Sequence, residues 1–413
     1  MNRAVYIASA VRTPIGKFGG ALADVPSPDL GVIAVRAALE KAFGAAPARR
    51  TPGDRKVAPN AMPYRVDELI LGNARPAGVG PNVARQVAWR SGLGDDVPAF
   101  SLNMACASGI RAILLGWQQI VLGAADVVVA GGTENMSRVP YLVDVRWGVR
   151  LGNQPLTDAM YRDGFLCPLS ELVMGETAEI LAEEYKISRD EQDRYALESH
   201  RRAAHAMANC YFSREIVPVD KTDAKGRAVR VEKDEHVRAD VTLEALAKLP
   251  PAFSKTGTVS AGNSSGLTDA ASALVLVGEE KLSSLAAPPL ARIVDATVVA
   301  IEPHRMGVSP VLANRKLEAR TGWKIADYDA VELNEAFAAQ VLACDRELHF
   351  DRARLNPNGG AIALGHPIGA TGARIVTTLV HELQRRKPEG AKRGLATLCV
   401  SGGLGVALAV EAV

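Results

Sequence analysis

Cys106 is the first of four residues whose type and setting could support chemistry. It stands in the turn ACASG, after an extended approach and before a long apolar pattern typical of a helix. Free backbone N–H groups and the helix dipole at such a junction favour a thiolate. The small neighbours Ala105 and Ala107 leave room for a substrate carbonyl. The pattern predicts a nucleophile, against the alternative of a buried structural cysteine, the commoner role of an isolated one.

His366 is the second candidate, between glycines and before a proline in GGAIALGHPIGATG, at a predicted helix start. Glycines allow the backbone to approach a ligand closely and to adopt positive φ. A histidine held there can act as a base or as a hydrogen-bond donor to an oxyanion. The alternative is that the glycines and the proline only shape a turn.

Cys399 and Asn334 complete the set. Cys399 ends a buried-type strand before the glycine turn of LATLCVSGGLG, where a cysteine is most simply a small core residue. Asn334 follows a strand pattern in VELNEAFAAQ, where an asparagine is most simply a helix N-cap. Their own segments therefore leave both roles open.

The composition of the chain, 413 residues long, excludes several classes of function. Lys plus Arg number 48 and Asp plus Glu 46, so the formal charge of +2 argues against a nucleic-acid partner or a polybasic membrane binder. Apolar runs fall short of the ~18 residues of a membrane span, and we expect no signal peptide. The five cysteines are odd in number and lack CxxC spacing, which argues against disulfides or zinc and favours a reducing, cytoplasmic location.

Motifs for other chemistries do not occur. The sequence has no P-loop, no GxGxxG after a strand and no HExxH. Nucleotide hydrolysis, dinucleotide binding and metal catalysis therefore lack support, and we expect no metal and no tightly bound cofactor.

Alternating strand and helix patterns must position the candidate residues. AVYIASA (4–10) predicts a strand, LGVIAVRAALEKAFG (30–44) a helix that ends at Gly44, and VDELILGNA (66–74) another strand. Such alternation indicates an α/β fold with a largely parallel sheet covered by helices. Residues 45–63 interrupt it with prolines and basic residues, so we predict an exposed inserted loop there.

The sequence pattern contains one insertion outside the predicted sheet and one internal repeat. Residues 138–256 are more charged and mostly helical in pattern, whereas TDAASALVLVGEEKL (268–282) returns to the first layer. Both ADVVVAGG and LATLCVSGG are apolar strands that run into a glycine turn, which suggests a duplicated α/β unit. We therefore predict a first half over 1–137 and 257–284, an inserted domain over 138–256, and a second half over 285–413.

Taken together, these segments resemble the thiolase family over almost the whole chain. The matching motifs run in family order: AVRTPIGKFGGAL, NMACASG, AGGTENMS, MGETAE, KDEHVR, TVSAGNSSG, MGVSP, NEAFAAQ, NGGAIALGHPIGATGARI and CVSGGLG. The resemblance implies the thiolase fold, with two βαβαβαββ halves in a five-layer αβαβα sandwich. The inserted domain would be a loop domain that covers the active site and binds coenzyme A. Family members are homodimers or homotetramers.

The resemblance also implies acetyl-CoA C-acyltransferase activity by a ping-pong route, either thiolytic cleavage of 3-ketoacyl-CoA or the reverse Claisen condensation. Cys106 would attack the acyl carbonyl while His366 takes its proton, and Cys399 would serve as general acid or base at carbon. One oxyanion hole would combine His366 with a water held by Asn334. The other would use the backbone N–H groups of Cys106 and Ser401, and each such donor typically lowers a barrier by ~3 kcal/mol.

A coenzyme A channel through the loop domain is implied as well. Arg238 would lie near the adenine, and Ser265 would offer the pantetheine a polar contact. Ordinary core packing is the alternative for each wall position. The other matching positions are Met174, Ala252, Phe253, Ala261, Leu267, Met306, Ala336 and Phe337.

Three features depart from the family pattern. Ser401 stands where members often have glycine, so it would strain the turn if that position requires positive φ. Val173 replaces the histidine of the HMG motif frequent in biosynthetic acetoacetyl-CoA thiolases, which weakens a strictly short-chain biosynthetic assignment. The 45–63 insertion is unusual.

Two other functions are alternatives to thiolase activity. A ketoacyl-synthase-like condensing enzyme shares the fold but lacks the second active-site cysteine, so Cys399 argues against it. A catalytically idle acyl-CoA-binding homologue would not need a reactive residue at all four candidate positions. The presence of all four residues argues against this function.

Overall fold

The computed structural model of the chain describes residues 3–53, 64–223 and 225–413. The strands are β1 (Val5–Arg12), β2 (Gly16–Lys17), β3 (Glu68–Gly72), β4 (Ala99–Leu102), β5 (Val127–Asn135), β6 (Tyr141–Leu142), β7 (Thr157–Asp158), β8 (Val219–Thr222), β9 (Ala228–Val231), β10 (Thr268–Gly278), β11 (Ala291–Ala300), β12 (Ala330–Leu333), β13 (Arg393–Val400) and β14 (Leu404–Ala412). The α-helices are α1 (Ser27–Phe43), α2 (Val83–Arg90), α3 (Ser108–Val121), α4 (Met174–Glu184), α5 (Arg189–Ala208), α6 (Leu243–Ala247), α7 (Ser309–Thr321), α8 (Ala338–Leu348), α9 (Ala361–Leu364) and α10 (Ile368–Arg386).

The main sheet runs in the order β12-β13-β14-β11-β1-β10-β5-β3-β4, with β2 paired to β10. Strands β6 and β7 form one small separate sheet, and β8 and β9 form another. The two halves of the main sheet join through a short antiparallel contact between β1 and β11, which includes Tyr6 opposite Arg292.

Each half of the main sheet follows the same plan. In the first half, β3 lies parallel to β4 and β5, and β10 pairs antiparallel with β5 and β1. In the second half, β12 lies parallel to β13, and β14 pairs antiparallel with β13 and β11. The counterpart of β4 is reduced to one parallel bridge between Val331 and Leu355. The order βαβαβαββ therefore occurs twice, which confirms the predicted duplication.

Helices lie on and between the two half-sheets. α3 and α10 pack against each other and share a central core with both halves, which includes Ile113, Val376, Leu274 and Leu408. α1 and α2 cover the outer face of the first half, and α7 and α8 cover that of the second. Every residue of β5 and β10 is buried, as expected for strands covered on both faces. The fold is the predicted five-layer αβαβα sandwich. The prediction of a largely parallel sheet is wrong, because β1, β10, β11 and β14 all pair antiparallel with their neighbours.

The loop domain lies between β5 and β10 in the chain, and two buried charge clusters fasten it to the sandwich. Arg12 of β1 donates to Asp234 and to Glu215 of this domain, at 2.6 Å in each case. Glu335, which follows β12, accepts a hydrogen bond from Tyr195 Oη on α5 at 2.8 Å. Removal of one partner from a buried ion pair typically costs ~3–5 kcal/mol, so the two ion pairs of Arg12 are the stronger attachment.

Local sequence signals agree with the ends of several elements. α1 ends as predicted at Gly44, which adopts φ 77°. Residues 45–53 are irregular, with Arg50 stacked 4.0 Å over the ring of Trp89, and the remainder of the predicted insertion lies outside the described residues. The domain boundaries stay a prediction.

None of the helices in the described part of the chain is both long enough and apolar enough to cross a membrane.

Candidate active site

One cavity of about 420 Å³ opens where the two halves and the loop domain meet. Cys106, His366, Cys399 and Ser401 all line it. They come from the turn before α3, the turn before α10, and the end of β13 with the turn that follows. The fold therefore brings together four of the predicted catalytic residues, whereas Asn334 is not part of the wall.

The turn that carries Cys106 is held by side-chain bonds to its backbone. Ser108 Oγ accepts from Met104 N at 2.9 Å and donates to Ala105 O at 2.7 Å, and Asn103 Oδ1 accepts from Ala105 N at 2.9 Å. Ala105 lies in the left-handed region with φ 44°. Such strain in a non-glycine residue is concentrated at functional sites. The turn thereby presents the half-buried Cys106 to the cavity.

Burial sets the protonation state of Cys106. Loss of hydration raises the pKa of the thiol, and the charge of Arg75 together with the backbone N–H groups of Ser401 and Cys106 only partly opposes this rise. Loss of hydration, the largest effect on this thiol, therefore opposes the thiolate that we expected at the helix start. Cys106 is a thiol that needs a base.

His366 is the predicted base, and its imidazole is neutral. Its Nδ1 lies 2.6 Å from Thr371 Oγ1, whose hydroxyl donates to Pro367 O at 3.0 Å. Since the single hydroxyl proton is used in that bond, Nδ1 donates to Oγ1 and the ring lone pair belongs to Nε2. Nε2 is buried without a hydrogen-bond partner among the described residues. Burial, with smaller effects from Arg374 and Arg75, lowers the pKa of His366 to about 3.

A glycine before His366 is required by the geometry of the turn. Gly365 adopts φ 101°, and a Cβ there would lie 2.2 Å from Thr268 Cγ2. The backbone N–H of His366 donates to Gly266 O at 2.9 Å, which ties the turn to the segment before β10. α10 then begins directly after Pro367. The glycine and the proline therefore shape the turn, and the turn directs the imidazole into the cavity.

Cys399 and Ser401 lie at the end of β13 and in the turn after it. Cys399 is buried, and loss of hydration raises its pKa well above the usual value, with a further rise from the charge of Cys106. Both thiols line the cavity. Gly402 and Gly403 adopt positive φ (85° and 84°), whereas Ser401 does not. The serine therefore does not strain the turn, and its N–H faces the Cys106 sulfur.

Asn334 is fully buried behind the strand end of β12. Its backbone N–H donates to Thr397 O at 3.0 Å, whereas its Nδ2 and Oδ1 have no partner in the described part of the protein. The N-cap alternative is wrong, because Phe337 occupies the N-cap of α8. A buried amide with both polar atoms free is suited to hold a small polar molecule.

Every residue predicted for the coenzyme A channel lines the same cavity. Phe253 and Phe337 meet edge to face with ring centroids 6.0 Å apart, which gives part of the wall an apolar surface. Arg238 is exposed to solvent. The full predicted set is Met174, Arg238, Ala252, Phe253, Ala261, Ser265, Leu267, Met306, Ala336 and Phe337.

Several wall residues were not singled out from the sequence. Most stand inside the motifs already quoted: Met136, Gly175, His236, Ser264, Gly266 and Ile368. Arg75, Gly164 and Phe165 stand in none of those motifs. The available signal for Arg75 was its place just after the carboxyl end of a predicted parallel strand, the edge of a sheet where ligands commonly bind.

The lowered pKa of His366 predicts a pH-dependent loss of stability. Between pH ~6.5 and pH ~3 the unfolded chain binds a proton on this histidine and the folded chain does not, so stability falls as the pH falls through this window. At pH 5 the cost is about 2 kcal/mol. In urea titrations at pH 7.5 and pH 5, His366→Asn should lose about 2 kcal/mol less free energy of unfolding than the unchanged protein.

His205→Asn is the control for this comparison, because His205 is an exposed histidine on α5. It should follow the unchanged protein at both pH values. The same pH dependence in all three proteins would contradict a buried, neutral His366.

Known proteins match this chain along its whole length. The family models for the thiolase N-terminal domain and the thiolase C-terminal domain match residues 5–280 and 287–412. Acetyl-CoA acetyltransferase of Chromobacterium violaceum is 46% identical over 408 residues, which cover 98% of this chain and 99% of that protein. The crystal structure of Bacillus anthracis acetyl-CoA acetyltransferase matches with a TM-score of 0.91 at 44% identity and covers 100% of both chains.

A structure of human mitochondrial 3-ketoacyl-CoA thiolase in complex with CoA matches with a TM-score of 0.89 at 40% identity, covering 100% of this chain and 98% of that one. The two family models meet near residue 280, where the first half of the fold ends and the second begins. Sequence motifs, fold and relatives agree from end to end, and the chain belongs to the thiolase family.

Proposed function

We propose that this protein is an acetyl-CoA C-acyltransferase that works through an acyl group on Cys106. The observation that carries the proposal is the meeting of two thiols and one neutral imidazole in the wall of one cavity. Covalent acyl transfer needs a nucleophile with a base, and chemistry at the neighbouring carbon needs a second acid or base. Cys106, His366 and Cys399 supply these three groups.

In the first half-reaction, Cys106 attacks the carbonyl of the acyl donor and becomes acylated. The leaving group is CoA in condensation, where a C–S bond breaks, and the enolate of acetyl-CoA in cleavage, where a C–C bond breaks. The thiol gives up its proton to Nε2 of His366, the atom that carries the lone pair. The protonated ring then presents an N–H at Nε2, which can stabilise negative charge on a thioester oxygen. The N–H groups of Cys106 and Ser401 lie at the sulfur and suit the other oxyanion.

Cys399 is the group proposed to move a proton at carbon. Its pKa is raised by burial and also by charge on Cys106. An acylated Cys106 cannot ionise, so no negative charge forms beside Cys399 while the acyl enzyme persists. In cleavage, Cys399 protonates the departing enolate carbon as the acyl enzyme forms in the first half-reaction. In condensation, it removes the proton from acetyl-CoA in the second.

Coenzyme A and its thioesters are the proposed substrates, and no metal or tightly bound cofactor takes part in the proposed steps. Support comes from the apolar channel formed by the loop domain and from the CoA complex of the human relative. Solvent-exposed Arg238 suits the charged end of CoA. His366 and Cys106 lie in the same cavity, where the thioester would be.

The proposed assembly is a homodimer formed through β4, or a tetramer of such dimers. β4 is the last strand of the main sheet, and no other described strand pairs with its outer edge. Such an edge is ordinarily covered in a native protein. Trp147 and Leu151 of the loop domain are 94% and 93% exposed and suit a further contact.

The five free cysteines support a reducing compartment such as the cytoplasm.

Incubation with acetoacetyl-CoA followed by intact-protein mass spectrometry tests the proposed activity. We expect an acetyl group on Cys106 that disappears when CoA is added, with release of acetyl-CoA. Unmodified protein with bound ligand would indicate an idle acyl-CoA-binding homologue. An acyl enzyme that CoA cannot discharge would indicate a condensing enzyme of the ketoacyl-synthase type.

A further inference from the structure

His236 is a residue of the cavity wall that the proposed reaction steps do not use. It lies in the loop domain between β9 and α6, and it lines the cavity together with His366. Its Nδ1 lies 2.9 Å from Ala363 O. A carbonyl oxygen can only accept a hydrogen bond, so Nδ1 carries the ring proton and donates. Burial lowers the pKa of His236, so the ring is a neutral donor at neutral pH.

The carbonyl of Ala363 needs such a donor, because the helical backbone does not supply one. Ala363 belongs to α9, a single helical turn that ends two residues before His366. The last carbonyl groups of a helix have no partner within it. The residue four positions after Ala363, which would donate in a continuing helix, is Pro367 and has no N–H. His236 therefore fixes the end of the helix that leads into the catalytic turn.

The ring of His236 also packs against the segment that accepts the backbone N–H of His366. A Cβ on Gly266 would lie 2.0 Å from His236 Nε2, so the ring lies directly against this glycine and leaves no room for a side chain there. Gly266 O accepts from His366 N at 2.9 Å. One imidazole thus contacts both backbone segments that hold His366, the helix before it and the segment before β10.

The backbone around His236 is fixed on both sides. Two residues earlier, the buried Asp234 accepts from Arg12 Nη1 at 2.6 Å and from Arg12 Nη2 at 2.8 Å. Two residues later, Arg238 N donates to His200 Nδ1 at 3.2 Å. The ring of His200, on α5, lies beside the ring of His236, with centroids 6.5 Å apart and planes at 19°. Because its own support is rigid, His236 can hold the turn of His366 in place.

We propose that His236 is a positioning residue for His366. This role rests on the proposed acyltransferase function, in which Nε2 of His366 must reach the thiol of Cys106. The hydrogen bond to Ala363 O and the packing on Gly266 keep the backbone on both sides of His366 from shifting. The catalytic imidazole therefore keeps its direction into the cavity. Displacement of a catalytic group by ~1 Å can cost ~10²-fold in rate.

Two substitutions of equal shape, His236→Leu and His236→Asn, test the hydrogen bond. Asn Nδ2 is separated from Cβ by the same number of bonds as Nδ1 of the imidazole, so it can donate to Ala363 O, whereas leucine cannot. We expect His236→Leu to lower kcat for thiolysis of acetoacetyl-CoA by about 10- to 100-fold, with little change in KM for CoA. His236→Asn should recover most of the lost kcat. Equal loss in the two variants would contradict a role for this bond.

Alkylation of Cys106 by iodoacetamide tests whether His236 acts through His366. The rate is followed by mass spectrometry of the peptide that contains Cys106, because Cys210 is exposed and also reacts. His236→Leu should slow this alkylation by about 10-fold in the otherwise unchanged protein. In a His366→Ala background it should have no further effect, since the group through which it acts is gone. The same slowing in both backgrounds would show that His236 does not act through His366.

His205→Leu is the matched control, because His205 is exposed on α5 and does not line the cavity. It should leave kcat, KM and the alkylation rate unchanged. A rise in KM for CoA without a fall in kcat in His236→Leu would place His236 in CoA binding, and the proposed positioning would be wrong.

Failure of the proposed function has a different signature. The unchanged protein would then neither cleave acetoacetyl-CoA nor acquire an acetyl group on Cys106. Alkylation by iodoacetamide needs no CoA substrate, so it would still report whether His236 is coupled to His366.

Discussion

Replacing Cys106 by serine should reduce thiolysis of acetoacetyl-CoA by roughly 10⁴-fold or more, the scale seen when a covalent nucleophile is removed. A hydroxyl ionises far less readily than a thiol. His366 cannot compensate, because burial lowers its pKa to about 3 and a serine hydroxyl holds its proton far more tightly than a thiol does. Steady-state rates and intact-protein mass spectrometry should both report the loss, the second through the absence of an acyl adduct.

Cys210→Ser is the control for this substitution. Cys210 is exposed and is not among the residues that line the cavity, so its replacement should leave the rate and the adduct unchanged. Near-normal turnover in Cys106→Ser would remove Cys106 as the nucleophile and with it the proposed covalent mechanism.

Replacing Cys399 by alanine should separate the two half-reactions. Transfer of an acetyl group between acetyl-CoA and Cys106 breaks only carbon–sulfur bonds, so exchange of labelled CoA into acetyl-CoA should continue. Condensation and cleavage should fall by roughly 10²- to 10⁴-fold, the usual contribution of a general acid or base. The buried Cys399, next to Cys106 in the cavity wall, is the thiol placed to move this proton.

The two rates are best measured on the same preparation, exchange by isotope incorporation and condensation by acetoacetyl-CoA formation. Cys344→Ala is a suitable control, because Cys344 is equally buried but donates to Gly307 O and does not line the cavity. Undiminished condensation in Cys399→Ala would show that another group acts at carbon. Equal loss of exchange and condensation would show that the substitution damages the first half-reaction.

Much of the site could be predicted from local sequence. The turns that carry Cys106, His366 and Cys399 are marked by glycine, proline and small residues, which act on the backbone within a few positions. The end of α1 at Gly44 was predicted on the same grounds. Cys399 and Asn334 were different, because each looked structural in its own segment. The resemblance to thiolases was needed to select them.

Other properties depended on residues far apart in the chain. The sequence favoured a thiolate at Cys106, whereas burial by the assembled fold raises the pKa of that thiol. Whether Ser401 strains its turn depended on where positive φ falls, and the fold assigns it to the two glycines that follow. Arg75 had no motif to mark it, and only the fold shows that it lines the cavity together with Cys106.

The amino-acid sequence by itself determined the order of the elements, the duplicated halves and the turns on which the reactive side chains stand, because these depend on patterns within short segments. Only the tertiary structure decided the protonation of Cys106 and His366 and which residue faces which across the cavity. Desolvation and electrostatic coupling depend on atoms that folding brings together from distant parts of the chain, and no single segment contains them.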